Sequence, residues 1–328
     1  MARLHDRFPG LRLPFRELGE VPTPVRHMPQ SVTGDTEVWV KDDSVFGDGA
    51  WGGNKVRKLE WILPEAERRG TRTIFTVGGI GTHWGLCVAL YARELGIRTV
   101  LGLIDQPVDD HVLEQQARLR DSGAELHLEH TPSRLRAVAP YLLGRIALRD
   151  RRRPMFLGPG GSSPLGALGY VEAALEVAGQ VQAGELPEPA TVVVPAGSGG
   201  TAAGLALGLR IGGLSSRVIG IVVNDTVRLD APAITTLANR SAALLEKHGA
   251  DLGGLRLVED DLTMREEFLG ASYGSHTPAG MEALAAASAE GLTLEPVYTA
   301  KTVAAIRALG GTEAMPGPVL WVHTHGPR

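Results

Sequence analysis

From Lys55 onward, apolar residues fall at Val56, Leu59, Ile62, Leu63 and Ala66, the spacing of one helical face. Just upstream, Glu37-Val38-Trp39-Val40-Lys41 alternates with a period of two and predicts a strand. Short apolar runs at 73–77, 99–104, 124–128, 155–157, 191–194, 217–223 and 318–323 predict further strands. Helical spacing fills the intervals: from about 83 to Leu95, then 112–122, 132–148, 167–178, a small-residue helix after residue 201, 231–248, 278–290 and 300–309. Residues 1–36 are Pro-rich, with Pro22-Thr23-Pro24 marking an extended lead-in. Strands alternating with helices predict an α/β protein whose mostly parallel sheet is covered on both faces. Ligands of such sheets sit beyond the carboxyl ends of the strands. The glycine-rich loops at 78–81, 158–161 and 197–200 occupy that position, and the start of the Lys55 helix faces the same crevice.

Composition changes this picture little. The chain has 328 residues, enough for two domains or one large α/β unit. The net charge of −4 gives no reason to expect nucleic acid as a partner. No apolar run is long enough to span a bilayer, and the first residues lack the apolar core of a secretory signal. Cys87 is the single cysteine, so no disulfide forms within the chain and a cytoplasmic setting is expected.

The candidate chemistry begins at Gly52-Gly53-Asn54-Lys55. A lysine after two glycines, at a helix start, has the setting in which an amine loses its proton readily and forms a Schiff base with an aldehyde. Only five of the 33 basic residues are Lys, so this one stands out in a chain that otherwise uses Arg. On its own the segment also fits a solvated lysine in a first helical turn. The loop Gly197-Ser198-Gly199-Gly200-Thr201 follows a strand and opens a helix, which makes a phosphate cradle. The same residues match G-x-G-x-x-A with Asp225 after the next strand, so a dinucleotide remains an alternative. Ser162 and Ser163 either donate to an anion or cap the following helix. Thr82-His83-Trp84 either contacts a ligand or supplies a cap and a packed ring. Tyr273 and Tyr298 follow loop-like segments and, singly, read as core residues. His323-Thr324-His325 lacks a third residue at metal-ligand spacing, so no metal is expected.

Taken together, these stretches resemble the fold-type II pyridoxal-phosphate enzymes, in particular the 1-aminocyclopropane-1-carboxylate deaminase / D-cysteine desulfhydrase family. The segments that carry the resemblance are KDD at 41–43, GGNKVRKLE at 52–60, GGSSPLGALGYVEAALE at 160–176, AGSGGTAAGL at 196–205 and EPVYTAK at 295–301. The resemblance implies two open, mostly parallel twisted sheets flanked by helices. A larger discontinuous cofactor domain (1–57 and 164–328) would be closed over by a smaller one (58–163). It implies pyridoxal 5'-phosphate as cofactor, a small amino acid as substrate and a homodimer. Lys55 would carry the cofactor as a Schiff base and move the α-proton, with Asn54 part of that motif. Gly197, Ser198, Gly199, Gly200 and Thr201 would hold the phosphate, and Thr324 would lie by the pyridine nitrogen. Tyr273 and Tyr298 fall on active-site tyrosines, each a second acid or base if its pKa is lowered. Thr299 stands where the deaminase branch has a glutamate, which points to the desulfhydrase branch. Thr82, His83, Trp84 and Ser162 would meet the substrate, with His83 also on the cofactor's phenolic oxygen.

The chain departs from the family at Gly81-Thr82-His83-Trp84, where members usually read Gln-Ser-Asn-His, and at His325, where they have glycine. The expected reaction is an α,β-elimination giving a keto acid and ammonia. A β-substitution, a racemisation and a cofactor-binding homologue without deaminase activity are the alternatives.

Overall fold

Among the described residues, 2–47 and 51–325 of a computed structural model, ten strands form two sheets. Asp48, Gly49 and Ala50 of the glycine- and aspartate-rich loop, and Gly326 of the closing motif, lie outside the described residues. One sheet takes strands from both ends of the sequence: β1 (Val25–His27), β2 (Val38–Asp42), β7 (Thr191–Ala196), β8 (Arg217–Val222), β9 (Leu262–Arg265) and β10 (Val319–His323), in the order β1-β2-β10-β7-β8-β9. The other takes β3 (Thr73–Gly79), β4 (Arg98–Ile104), β5 (Glu125–His130) and β6 (Met155–Leu157), in the order β5-β4-β3-β6. All pairings are parallel except β1 with β2.

The helices are α1 (Arg3–Arg7), α2 (Gln30–Thr33), α3 (Asn54–Arg68), α4 (His83–Glu94), α5 (Asp110–Asp121), α6 (Pro132–Asp150), α7 (Pro164–Gln182), α8 (Gly200–Ile211), α9 (Ala231–Lys247), α10 (Pro278–Ala289) and α11 (Thr299–Leu309). The α/β class and the two parallel sheets therefore agree with the reading of the sequence. That reading contained neither α1 and α2 in the lead-in nor β1 and β9.

β7 shows why its sequence is a continuous apolar run. Val192 and Val194 pack with Leu168, Leu205 and Val218 on one face, and Val193 packs with Val40, Ile219 and Trp321 on the other. A strand covered on both faces has no polar side to alternate with. α7 and α8 lie against the first face in very close contact, since a Cβ at Gly204 would stand 2.2 Å from the Ala167 carbonyl oxygen.

A buried network of charges ties three of the motif segments together. Arg57, on α3, binds Asp43 at 2.8 Å and Glu176, on α7, at 2.7 Å. Lys41 reaches Glu176 at 3.0 Å, and Tyr170 donates to Asp43 at 2.8 Å. Burial pushes the Glu176 carboxyl up, but Arg57 and Lys41 outweigh it and hold it at about 2. The KDD segment and much of the α7 segment thus anchor the helix that begins at Asn54. The lead-in is tied down as well: Glu172 accepts from the N–H groups of Arg3 and Leu4, and Glu60 from that of Leu18.

Candidate active site

The carboxyl ends of both sheets face one cavity of about 430 Å³. Lys55 lines it from the first turn of α3, preceded by Gly53 at φ 94°. Burial lowers the Lys55 pKa to about 8, so a neutral amine is accessible close to neutral pH. Asn54 lines the same cavity, and its backbone N–H meets the Thr324 carbonyl at 3.4 Å.

A smaller recess opens beside Lys55, lined by Gly197, Ser198, Gly199, Thr201 and Thr324. It lies at the N-terminus of α8, where unpaired N–H groups and the helix dipole favour an anion. Gly199 there is left-handed at φ 81°, and a side chain would run into Ile234 at 2.3 Å. Asn224 fixes the loop by donating to the Gly197 carbonyl at 2.9 Å. Ser162 reaches across from the loop after β6: it donates to Ser198 Oγ and accepts from the Gly200 N–H, both at 2.9 Å. Ser162 thus belongs to the cradle and does not line the main cavity, where a substrate contact was expected of it. Ser163 caps α7 by accepting from Gly166.

Thr82 caps α4 by accepting from the Gly85 N–H at 3.1 Å, which leaves its own proton free to donate into the cavity. His83 lines the cavity and stands edge-on to Trp51 at 5.5 Å. Burial, and the Lys55 charge after it, lowers the His83 pKa to about 3. The ring donates to the Gly52 carbonyl, while its Nε2 is enclosed without a partner. The neutral ring therefore presents an acceptor. Trp84 touches the cavity edge but directs its Nε1 to Thr76 Oγ1 at 2.8 Å and packs in the core of the four-stranded sheet. A Cβ at Gly161 would stand 2.4 Å from its ring.

Tyr273 and Tyr298 share a hydroxyl–hydroxyl contact of 3.1 Å at the cavity wall. Tyr298 lies against Gly197, where a Cβ would approach its ring to 2.7 Å. Burial raises both phenol pKa values, so the sequence-based condition of a lowered pKa is not met and both hydroxyls keep their protons. Thr299 is turned inward onto Glu295 and does not line the cavity. His323 is paired with Asp42 at 3.1 Å, and Asp225 accepts from the Tyr273 N–H at 3.1 Å, so the acid weighed for a ribose positions a tyrosine loop.

Three contributors escaped the sequence reading. Lys58, three residues after Lys55, is 1% exposed and donates to the Gly160 carbonyl at 2.8 Å. Burial, with the Lys55 charge next, lowers its pKa well below the usual value, and its amine would lie 3.2 Å from a Cβ at Gly200. The i,i+3 spacing of the two lysines was a visible signal. Gln115 and Gln106, from the segment after β4, line the cavity without any local motif. A deprotonatable amine beside an N–H cradle, with an unpaired acceptor on the neighbouring loop, fits an aldehyde that carries a phosphate. Pyridoxal phosphate is such a molecule.

The family model described as pyridoxal-phosphate dependent enzyme matches residues 16–325. The chain is 34% identical to a D-cysteine desulfhydrase of Salmonella paratyphi A, over 96% of this chain and 94% of that protein. The same identity and coverage hold for the desulfhydrase of Salmonella newport. The crystal structure of an ACC deaminase homologue superposes with a TM-score of 0.82 at 29% identity, covering 98% of this chain and 93% of that one. A T.th. threonine deaminase shares the fold, with a TM-score of 0.63 at 20% identity over 93% of this chain and 92% of that one.

Proposed function

The chain belongs to the pyridoxal-phosphate dependent enzymes, and from that premise we propose that it performs an α,β-elimination on a small amino acid, in which the β-substituent leaves with a proton and one water completes the products, a keto acid and ammonia. Pyridoxal phosphate is its cofactor, and its chemistry is that of a lyase or deaminase. The observation that carries the proposal is the Lys55 amine, held near pKa 8 beside the cradle at 197–201. When bound, the cofactor provides a sink for the electron pair left on the substrate's α-carbon. The residues supply the rest. Lys55 holds the cofactor and, once displaced, takes the α-proton at its Nζ. Gly197, Ser198, Gly199, Gly200 and Thr201 hold the phosphate, with Ser162 and Lys58 bracing the loop. Thr82 donates to the substrate carboxylate, helped by the α4 N-terminus. The neutral phenols of Tyr273 and Tyr298 donate protons, and the neutral His83 ring lines the wall beside Lys55. Thr324 closes the cofactor side.

The D-cysteine desulfhydrase relatives support D-cysteine as the first substrate to test. The sheet memberships support a division into 1–57 with 164–328 and a smaller unit of 58–163. The single buried Cys87 supports work in the reducing cytoplasm, to be checked by fractionation. A homodimer is expected, with light scattering of the purified protein as the check.

Lys55→Ala decides the central claim. Wild-type protein shows the visible absorbance of lysine-bound cofactor and yields keto acid and ammonia from one of a panel of D- and L-amino acids, while the variant has neither. A visible band that survives the substitution would sink the proposal. Product analysis of the same panel separates elimination from substitution and racemisation.

A further inference from the structure

The cavity does not end at Lys55 and its neighbours but continues over one face of the four-stranded sheet. β3 and β6 run side by side in parallel register, with Phe75 opposite Phe156. Side chains alternate along a strand, so Phe75, Val77 and Phe156 share that face. α6 covers part of it, where Leu142 and Ile146 pack with Phe75 and Val100. Phe156 lies on the edge strand β6 and is 55% exposed. Together with Val77, Leu135, Ala139 and Pro159 it lines the cavity as an apolar limb. Exposed apolar walls of this kind border ligand grooves. The limb begins between the two groups that handle the head of an amino acid. Gly160, next to Pro159, faces Lys55, whose Nζ would stand 3.9 Å from a Cβ there. Gly78, next to Val77, lies against Thr82, whose Oγ1 would stand 2.5 Å from a Cβ at that glycine. Gln106, also on the cavity wall, has its Oε1 engaged by the Gly81 N–H at 3.3 Å.

We propose that this limb binds the apolar substituent of an S-substituted cysteine, so that the leaving group of the elimination is a hydrophobic thiol. This rests on the lyase reading above and enlarges its substrate. An amino acid held at its α-carbon by Lys55 and at its carboxylate by Thr82 has its side chain at the mouth of the limb. An α,β-elimination requires that side chain to carry the leaving group. Lys55 Nζ takes the α-proton, and the electron pair freed from that bond serves to break the Cβ–S bond. The sulfur leaves with a proton, and one water replaces the nitrogen. The products are pyruvate, ammonia and the thiol, with nothing oxidised or reduced overall. A methyl substituent leaves most of the limb unfilled, and a carboxylate would exchange water for an apolar wall.

The test is turnover by the holoenzyme of both enantiomers of S-benzyl-, S-methyl- and S-carboxymethylcysteine. In the preferred enantiomer, kcat/KM for the benzyl compound is expected to exceed that for the methyl compound about 10- to 100-fold. Ala139→Trp, which fills the limb, should abolish that ratio. Phe156→Ser, which removes its apolar wall, should lower the ratio and serves if the first variant fails to fold. A wild type that favours the methyl or carboxymethyl compound, or a ratio unchanged in a folded variant, overturns the assignment of the limb. Keto acid from other amino acids but from none of these three overturns it as well and leaves the lyase reading standing. Keto acid from no amino acid overturns both.

Discussion

Lys55 shows how far a single residue can be read. Its neighbours Gly52, Gly53 and Asn54 are local, so a sequence window contains the signal, and burial then lowers its pKa to about 8. A lowered amine pKa means that the neutral form accumulates as pH rises through that value. Capture of pyridoxal phosphate by cofactor-free protein is therefore expected to speed up between about pH 6 and 8 and to level off above. A rise that continues toward pH 10, as for free lysine, would count against the buried setting. Trp84 and Ser162 mark the opposite case. Both lie in segments that read as ligand-facing, but their partners, Thr76 and Ser198, are 8 and 36 residues away in sequence. Nothing within a window of sequence announces those contacts. Gln115 was illegible for the same reason, since its place on the wall depends on how α5 meets the lead into α3.

At the scale of elements, buried strands and capped helices were legible because their periodicity or apolar runs span a whole element. β1 and β9 were not. β1 is a three-residue edge strand after a proline, and β9 is only four residues, with Thr263, Met264 and Arg265 half-buried. Neither is long enough to show a period. The same scale explains the KDD and GGNKVRKLE segments beyond Lys55. Arg57, Asp43, Glu176 and Lys41 form a fully buried ion network that fixes the start of α3 against α7. Removing one partner strands a charge away from water. Arg57→Met is expected to destabilise the fold by about 3–5 kcal/mol in denaturant unfolding. A loss under about 1 kcal/mol, the usual value of a surface pair, would show that the network is hydrated.

For the whole molecule, the docking of the lead-in gives stability a pH dependence. Burial raises the pKa of Glu60 to about 8, against the Leu18 N–H and the Arg57 charge, and that of Glu172 to about 7, against the Leu4 and Arg3 N–H groups. Both are raised above their unfolded value of 4.5. Their contribution is therefore complete below that value and is lost as pH climbs toward 8. Asp42 and Glu176, held at about 2, act the other way and lose theirs as pH falls from about 4 toward 2. Between about pH 5 and pH 8, Glu60 and Glu172 lower the thermal midpoint as pH rises, while the lowered His83 and Lys58 act in the opposite direction. Relative to wild type, Glu60→Gln should therefore raise the midpoint at pH 8 against that at pH 5. An unaltered slope in the variant would show that Glu60 is already ionised when folded. The strand order has a separate consequence for how the chain is made. The four-stranded sheet is complete once residue 157 is available, whereas β10 at 319–323 lies between β2 and β7. Until those five residues leave the ribosome, the six-stranded sheet exists as two halves with open edges. During vectorial synthesis the smaller sheet matures alone, and the loop after β7 that we propose for the phosphate waits for a strand made nearly three hundred residues after its partner β2.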